Sequence, residues 1–146
     1  VERMCAVRRT GAVDCFSTYD VRPSGDAQKA PPKVTLERIA GVDDAVQIVG
    51  PGEGMFGSAC VLRKGGALAC WGSNGHGQLG SGDMVSRRAA TAVSDLGDAV
   101  SVAVGADHAC AVKKGGEVLC WGDNTLGQAG QPAPARAFEP VAVLIH

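Results

Sequence analysis

The sequence contains nearly the same stretch twice, fifty residues apart. ACVLRKGGALACWGSNGHGQLG runs from Ala59 to Gly80, and ACAVKKGGEVLCWGDNTLGQAG runs from Ala109 to Gly130. Segments that match at a fixed period of about 20–50 residues indicate one supersecondary unit used repeatedly, as in solenoids, propellers and arrays. A degenerate third copy surrounds Cys5 and Cys15. The fold is therefore expected to be a stack of similar units.

Each unit predicts short β-strands joined by glycine-rich turns, because short apolar runs alternate with glycines, of which the chain has 21 among 146 residues. We label the strands of one unit A to D. AVSVAVG is strand A, HACAV is strand B, EVLCW is strand C, and strand D follows the next loop. The chain then reads BCD, ABCD, ABCD. This order gives eleven strands, a first unit without strand A, and no helix.

The eleven strands are predicted at these positions: Met4–Val7, Val13–Phe16, Val34–Leu36, Ala45–Val49, Ala59–Leu62, Ala67–Trp71, Ala89–Val93, Ala99–Val104, Ala109–Val112, Val118–Trp121 and Val141–Ile145. Polar and glycine-rich segments between them are predicted loops and turns, at residues 17–32, 50–54, 73–88 and 123–134.

Both faces of the third hairpin are apolar, with the two cysteines on one face and Trp121 on the other. A half-exposed sheet would have one polar face, whereas a propeller blade is covered on both. We therefore predict an all-β fold: a partial β-propeller of about three blades with four-stranded antiparallel sheets, either a fragment or an incomplete ring. The blades would cover residues 1–44, 45–96 and 97–146 of one domain.

Six cysteines fall into three pairs with one spacing: Cys5/Cys15, Cys60/Cys70 and Cys110/Cys120. If Cys110 faces Cys120 across its hairpin, the turn Lys113–Glu117 has an odd number of residues. Directly opposed cysteines in a non-hydrogen-bonded pair are within disulfide reach. The repeat therefore favours one disulfide in each unit, which needs an oxidising compartment. The alternative is three pairs of buried free thiols in the cytosol.

The stretch from Ala99 to Gly130 resembles the repeat of the regulator of chromosome condensation family, which reads roughly VxxVxxGxxHxxAL…GxVxxWGxNxxGQLG. The second unit matches from Ala59 to Gly80. The first matches only in its hairpin, where Phe16 replaces the family's Trp and Ser17 its Gly. The resemblance is to bacterial-type, disulfide-containing β-propeller repeats.

This resemblance implies a propeller that family members close with seven blades, and three units cannot close such a ring. The chain is therefore expected to be a fragment, or to be completed by further copies or by a partner protein. Three blades in an open arc expose two apolar faces, and exposed patches of that size usually mark an interface.

Six basic residues occur in pairs at the three B–C turns and are the main binding candidates: Arg8, Arg9, Arg63, Lys64, Lys113 and Lys114. In a stack of blades they fall on one rim and could attract an acidic protein face or another anionic polymer. The alternative is charged hairpin tips that only stay solvated. Asn74 and His76, in the loop after strand C, are further rim-loop candidates, although such residues also fix loops by hydrogen bonds.

No nucleophile–base pair, phosphate-binding loop or metal-ligand spacing stands out. We therefore expect no enzymatic activity, no catalytic residue, no metal and no cofactor. A net charge of −1 and the absence of aromatic residues among the basic ones argue against nucleic acid, and no apolar run is long enough to span a membrane. The expected function is a protein-interaction scaffold that is secreted, periplasmic or on the cell surface. Its partner would be another protein or further copies of itself.

Two other functions stay open. A self-assembling structural module could join copies through open blade edges into a ring or a fibre. Guanine-nucleotide exchange on a small GTPase, the activity of the family's eukaryotic founder, would need a full propeller and a reducing compartment. The alanine, valine, glycine and arginine content indicates a GC-rich bacterium as the source.

Overall fold

Three antiparallel β-sheets follow one another along the chain, and in each sheet neighbouring strands are consecutive in sequence. The computed structural model describes residues 2–19, 33–50, 57–133 and 135–143. The sheets and their strands are as follows: sheet 1 has β1 (Glu2–Val7), β2 (Val13–Tyr19) and β3 (Lys33–Arg38); sheet 2 has β4 (Ala45–Val49), β5 (Ser58–Arg63), β6 (Leu68–Gly72) and β7 (Arg87–Ala92); sheet 3 has β8 (Ala99–Val104), β9 (His108–Lys113), β10 (Val118–Asn124) and β11 (Ala135–Ala142).

The predicted all-β fold and the eleven strands are confirmed within the described residues, none of which is helical. The three strands of sheet 1 that the structure describes are strands B, C and D, as the order BCD, ABCD, ABCD predicts. The sheets lie within residues 1–44, 45–96 and 97–146, and the behaviour of these segments as one domain stays a prediction.

The last strand differs most from its prediction. β11 begins at Ala135 and ends at Ala142, whereas the pattern predicts Val141–Ile145 after Pro140. Pro140 lies inside β11, where the absence of its N–H is tolerated because β11 is an edge strand. The pairing of β10 with β11 also shifts register between Cys120 and Gly122, so the edge bulges there.

Smaller differences concern element ends, as in β1, which starts at Glu2, and β3, which ends at Arg38. β7 starts at Arg87 and ends at Ala92, two residues and one residue earlier than predicted. β2 continues to Tyr19, inside the predicted loop 17–32, and β10 continues to Asn124, inside the predicted loop 123–134. Residues 20–32 and 144–145, and most of the predicted turn 50–54, lie outside the described residues.

Opposed cysteines occupy the same position in all three hairpins, as predicted. The Lys113 N–H donates to the Glu117 carbonyl at 2.8 Å, so these two residues form a hydrogen-bonded pair. Hydrogen-bonded and non-hydrogen-bonded pairs alternate along an antiparallel hairpin, and Cys110 and Cys120 therefore form a non-hydrogen-bonded pair. Three disulfides join the pairs across Cα separations of 4.0–4.1 Å: Cys5–Cys15, Cys60–Cys70 and Cys110–Cys120. The hairpins are therefore closed covalently within their own sheets.

Two apolar clusters fill the spaces between neighbouring sheets. Val13 of sheet 1 and Trp71 of sheet 2 belong to one cluster, and Leu62 of sheet 2 and Trp121 of sheet 3 belong to the other. The Cys60–Cys70 disulfide lies on the face of sheet 2 that contacts sheet 3. Sheet 2 is therefore buried on both faces, as the apolar pattern predicts for a propeller blade.

One backbone contact recurs at both sheet boundaries. The carbonyl of Gly11, in the β1–β2 turn, accepts a 2.9 Å hydrogen bond from the Ala45 N–H at the start of β4. The carbonyl of Gly66, in the β5–β6 turn, accepts one of 2.9 Å from the Ala99 N–H at the start of β8. A Cβ atom on Gly66 would lie 2.8 Å from the Asp98 Cα. Glycine at this turn position therefore allows the next sheet to approach.

Replacing Gly66 by alanine should destabilise the chain more than the same change at Gly116. Both glycines have left-handed φ angles, 94° and 89°, so both variants incur a strain of about 1–2 kcal/mol. Only the Gly66 variant also overlaps the backbone of the next sheet, because nothing lies within 4 Å of the position at Gly116. We expect a further loss of about 1–3 kcal/mol for G66A in urea unfolding of the oxidised chain. Equal losses would contradict close packing of β8 on this turn.

The three disulfides should differ in their resistance to reduction of the folded chain. Cys60 and Cys70 are both 0% exposed between two sheets, whereas Cys5 and Cys110 are only partly buried. Since reduction requires access to a sulfur atom, Cys60–Cys70 should be reduced last. Brief treatment with reductant, alkylation and peptide mass mapping would give the order. Simultaneous reduction of all three bonds would indicate that the reductant acts only on the unfolded chain.

Candidate functional site

The three turns that carry the basic residues share one geometry. In each turn, the amide of the first basic residue donates a 2.8 Å hydrogen bond to the carbonyl four residues later: Arg8 to Ala12, Arg63 to Ala67 and Lys113 to Glu117. The amide of the turn glycine donates back to the carbonyl of that same basic residue. The first basic residue therefore lies at the end of the hairpin ladder, and the second lies at the tip.

In sheets 2 and 3 the first basic side chain contacts an aspartate that directly precedes strand A. Arg63 Nε lies 2.6 Å from Asp44 Oδ1. Lys113 Nζ lies 3.6 Å from Asp98 Oδ1 and 3.4 Å from Glu117 Oε2. Asp98, with help from Glu117, raises the pKa of Lys113. These cations therefore link strand B to the start of strand A, and they are not free for a partner.

Among the described residues sheet 1 has no strand A, and its first basic residue contacts a different carboxylate. Arg8 pairs with Asp14 on β2, and Arg38 Nε on β3 lies 3.0 Å from the other oxygen of the same carboxylate. Only 4% of the Asp14 side chain is exposed. The hydrogen bonds from Arg38 and from Arg8 hold the pKa of Asp14 below its usual value. Asp14 thus replaces the acid that strand A supplies in the other sheets.

The second basic residue of each pair, Arg9, Lys64 or Lys114, is exposed. Among the described residues, no carboxylate lies within ion-pair distance of these three side chains. Because the turns of sheets 1 and 2 each contact the start of the following sheet, the three tips lie along one rim of the stack. We call this set the basic rim. Its role in binding stays a prediction.

Asn74 and His76 lie at the opposite ends of the strands from the basic rim, in the β6–β7 loop. Asn74 is 0% exposed. Its Oδ1 accepts from the Leu79 N–H at 2.9 Å, and its Nδ2 donates to the Asp83 carbonyl at 2.9 Å. Asn124 repeats this arrangement in sheet 3, where its Oδ1 accepts from the Ala129 N–H at 2.9 Å. Because the asparagine side chain is buried and fixes its own loop, it is not available to contact a partner.

His76 lies at the junction of sheets 2 and 3. Its Nδ1 is 3.2 Å from Asp107 Oδ1, which also accepts from Gln78 Nε2 at 3.3 Å. The Trp121 indole N–H donates to the Gln78 carbonyl at 2.9 Å. These bonds cross from one sheet to the next, so half-exposed His76 contributes to the packing of the two sheets.

A pocket of about 420 Å³ opens between sheets 1 and 2, lined by residues 38–43 and Arg63. Both of its arginines contact carboxylates, Arg38 that of Asp14 and Arg63 that of Asp44. The two cations of the pocket are therefore already paired with carboxylates of the chain itself.

In the part of the chain that the structure describes, no group of three or more histidine, cysteine, aspartate or glutamate side chains is placed to hold a metal ion. The same residues contain no helix that could cross a membrane.

Stacked antiparallel sheets, each buried against the next, define a segment of a β-propeller. Two models described as regulator of chromosome condensation (RCC1) repeat match the chain, one at residues 66–112 and one at residues 99–128. Residues 66–128 of the chain therefore match RCC1 repeats, as the resemblance of its sequence predicts. No curated protein sequence matches it.

Three similar solved structures agree with this fold. Yeast RCC1 (Prp20), solved bound to Kap60, is 22% identical with a TM-score of 0.72, and the match covers 99% of this chain and 34% of that chain. Prp20p from Saccharomyces cerevisiae is 22% identical with a TM-score of 0.73, covering 99% and 35%. Human WBSCR16 is 19% identical with a TM-score of 0.66, covering 98% and 37%. The chain thus spans about a third of the length of these proteins.

Replacing Asp14 by asparagine should remove a pH-dependent part of the free energy of unfolding. Because the pKa of Asp14 is lower in the folded chain, its ionised form stabilises the fold above the unfolded-state pKa of about 4. This contribution is lost as the pH falls through that value towards the folded-state pKa. The difference between the parent chain and D14N should be full at pH 7 and shrink below pH 4.

Urea unfolding at pH 7, 5, 4 and 3 measures this difference. Asp95→Asn is the control at an exposed position whose positive φ of 52° asparagine tolerates. A D14N difference that stays constant down to pH 3 would contradict the role of the Arg8–Asp14–Arg38 cluster.

Proposed function

We propose that this chain is a non-enzymatic protein-interaction scaffold whose basic rim binds an acidic face of another protein. The observation that carries the proposal is the division within each basic pair. The first cation contacts a carboxylate of its own sheet, whereas the second is exposed at the tip. Three exposed cations repeated along one rim form a linear array suited to a partner with spaced carboxylates.

The rim is supported by a rigid base. Each turn is the end of a disulfide-closed hairpin, and the turns of sheets 1 and 2 are bonded to the following sheet through Gly11 and Gly66. A surface held in this way needs little ordering when a partner binds, so less binding free energy is lost.

We further propose that the chain works outside the cytoplasm, as a secreted, periplasmic or cell-surface protein of bacterial source. The support is that all six cysteines are in disulfides. Structural disulfides persist in oxidising compartments and are rare in the cytosol. Disulfides found reduced in cells that produce the protein naturally would overturn this assignment.

The similar structures support protein binding in general terms. Yeast RCC1 (Prp20) was solved bound to Kap60, and Prp20p is described with its binding to Gsp1p and histones. Those proteins are about three times as long as this chain, and their partners are not carried over to it. Guanine-nucleotide exchange stays the less favoured candidate. Clear acceleration of labelled GDP release from a small GTPase by the chain would revive it.

Self-assembly into a ring or fibre is the alternative function. The contact between sheets uses the N–H at the start of strand A, donated to the glycine carbonyl of the preceding turn. A closed oligomer in light scattering, with or without reductant, would favour self-assembly instead.

Reversing the charge of the tips should weaken binding to an acidic probe. We expect Lys64→Glu combined with Lys114→Glu to lower the affinity for a fluorescein-labelled polyglutamate peptide about fivefold, because each exposed ion pair contributes about 0.2–1 kcal/mol. Fluorescence anisotropy at two salt concentrations measures the affinity and its salt dependence.

The matched control is Arg88→Glu combined with Arg136→Glu, which makes the same net charge change at exposed residues near the opposite ends of the strands. Equal weakening by both double variants would show that only net charge matters. That result would sink the basic rim as a binding site.

A further inference from the structure

The β6–β7 loop contains an asparagine followed by a glycine, Asn74 and Gly75. Asparagine deamidates most readily before glycine, because the backbone nitrogen of the following residue attacks the side-chain Cγ and glycine leaves that nitrogen uncovered. Water is the only other reactant. Asn124 is the equivalent residue of sheet 3, and Thr125 follows it. A β-branched side chain hinders the same attack, so the two loops differ in this reaction.

The fold does not require glycine at position 75. Gly75 is exposed, its φ lies outside the left-handed region, and nothing lies within 4 Å of an added Cβ atom. Thr125 occupies the same position in sheet 3. By contrast, Gly77 has a left-handed φ of 79° and lies against Phe138. The Asn-Gly dipeptide is therefore not imposed by the backbone of the loop.

The closed loop keeps the Asn74 side chain from reacting. Its Oδ1 accepts from the Leu79 N–H at 2.9 Å. Its Nδ2 donates to the carbonyls of Asp83 at 2.9 Å and of Val85 at 3.2 Å. Ring closure turns the amide out of these bonds and releases its nitrogen as ammonia. The loop therefore has to open locally before Asn74 reacts.

Arg87, at the start of β7, supports the groups that bind the Asn74 amide. Its guanidinium donates to the two carboxylate oxygens of Asp83 at 2.9 and 2.6 Å. It also donates to the Val85 carbonyl and to the Ser81 hydroxyl, both at 3.0 Å. Removing this guanidinium would therefore raise the fraction of time for which the Asn74 amide is released.

The products of deamidation do not fit the closed loop. An oxygen replaces Nδ2, and it would face the Asp83 carbonyl, the Val85 carbonyl and Asp83 Oδ1, which lie 2.9, 3.2 and 3.1 Å from that atom. All three are acceptors, so the new carboxylate would be buried without a donor on that side. The isoaspartyl product also lengthens the backbone next to the carbonyl that accepts from the Gly77 N–H. A deamidated loop therefore stays open.

The same loop carries contacts between sheets 2 and 3. The Gln78 carbonyl accepts from the Trp121 indole N–H at 2.9 Å, and Gln78 Nε2 donates to Asp107 Oδ1 at 3.3 Å. The boundary between sheets 1 and 2, where the Ala45 N–H donates to the Gly11 carbonyl, does not involve this loop. Permanent opening of the loop therefore weakens one boundary and leaves the other intact.

We propose that Asn74 is a deamidation site that the closed β6–β7 loop protects, and that its reaction permanently loosens the boundary between sheets 2 and 3. In the open loop the Gly75 nitrogen loses its proton to solvent and attacks Asn74 Cγ. The new C–N bond closes a succinimide, and Nδ2 takes up a proton and leaves as ammonia. Water then adds to one succinimide carbonyl. Cleavage of the Cγ–N bond gives aspartate, and cleavage of the backbone C–N bond gives isoaspartate.

The site lies at the opposite ends of the strands from the basic rim, and the reaction needs no partner. This proposal and the proposed function are therefore independent of each other.

Peptide mass mapping of the oxidised chain at mildly alkaline pH follows aspartate and isoaspartate formation at Asn74 and Asn124. Two synthetic peptides, residues 72–80 (GSNGHGQLG) and 122–130 (GDNTLGQAG), give the rates without the fold. We expect Asn74 to react at least about tenfold faster in its peptide than in the chain, because only the open loop reacts. The second peptide should react more slowly than the first.

Variants of the loop test the protection. Arg87→Ala should accelerate deamidation of Asn74 about tenfold, and Arg88→Ala, at the neighbouring exposed position, should leave the rate unchanged. Ser86→Ala removes only the hydroxyl that accepts from the Asn74 N–H, and it should accelerate the reaction about threefold. Gly75→Ala added to Arg87→Ala should slow the reaction again, since a Cβ atom has room there.

Amide and indole exchange in Asn74→Asp measures the loosening. The Trp121 indole N–H should exchange about tenfold faster than in the parent chain, whereas the Ala45 N–H at the other boundary should be unchanged. Three results would overturn the proposal: equal rates for Asn74 in the chain and in its peptide, no acceleration in either Arg87→Ala or Ser86→Ala, or unchanged exchange of the Trp121 indole.

Discussion

The opposition of two cysteines across each hairpin is the constraint on which the rest of the structure depends. A disulfide between directly opposed residues leaves the hairpin one register, because a shift of one residue would move every side chain to the other face of the sheet. With this register, Trp71 and Trp121 both point to the preceding sheet, and the Cys5–Cys15 and Cys60–Cys70 cystines point to the following one. The packing of sheet on sheet therefore follows from the hairpins.

Most of the fold could be predicted because the repeat carries local information about hairpins and turns. The spacing of Cys110 and Cys120 implied both the register and an odd turn, and the structure has both. Pro140 was misleading, because the absence of its N–H predicts a break in the strand. The structure places it on an edge strand, at an irregularity in the pairing with β10, where proline is tolerated. Which strand is an edge strand depends on neighbours that no local pattern reveals.

The candidate site could be predicted only in part. The sequence located six basic residues at turns, but their division into paired and exposed cations depends on acids distant in sequence. Asp44 and Asp98 had a visible signal, since both precede Ala-Val at the start of strand A. The signal for Asp14 was weak. It is an acid at the position directly before the second cysteine of its unit, where the other units have Ala69 and Leu119. Asn74 resembled a surface contact because polarity alone does not show burial.

The unequal burial of the three sheets has a consequence for cooperativity. Contacts between sheets involve only nearest neighbours. As in other repeat proteins, the free energy of unfolding is therefore a sum of one contribution from each sheet and one from each boundary between neighbouring sheets. Within the described chain, sheet 2 is stabilised by two boundaries, whereas sheets 1 and 3 are stabilised by one each. Within the described part of the chain, thermal opening should therefore begin at sheets 1 and 3 and reach sheet 2 last.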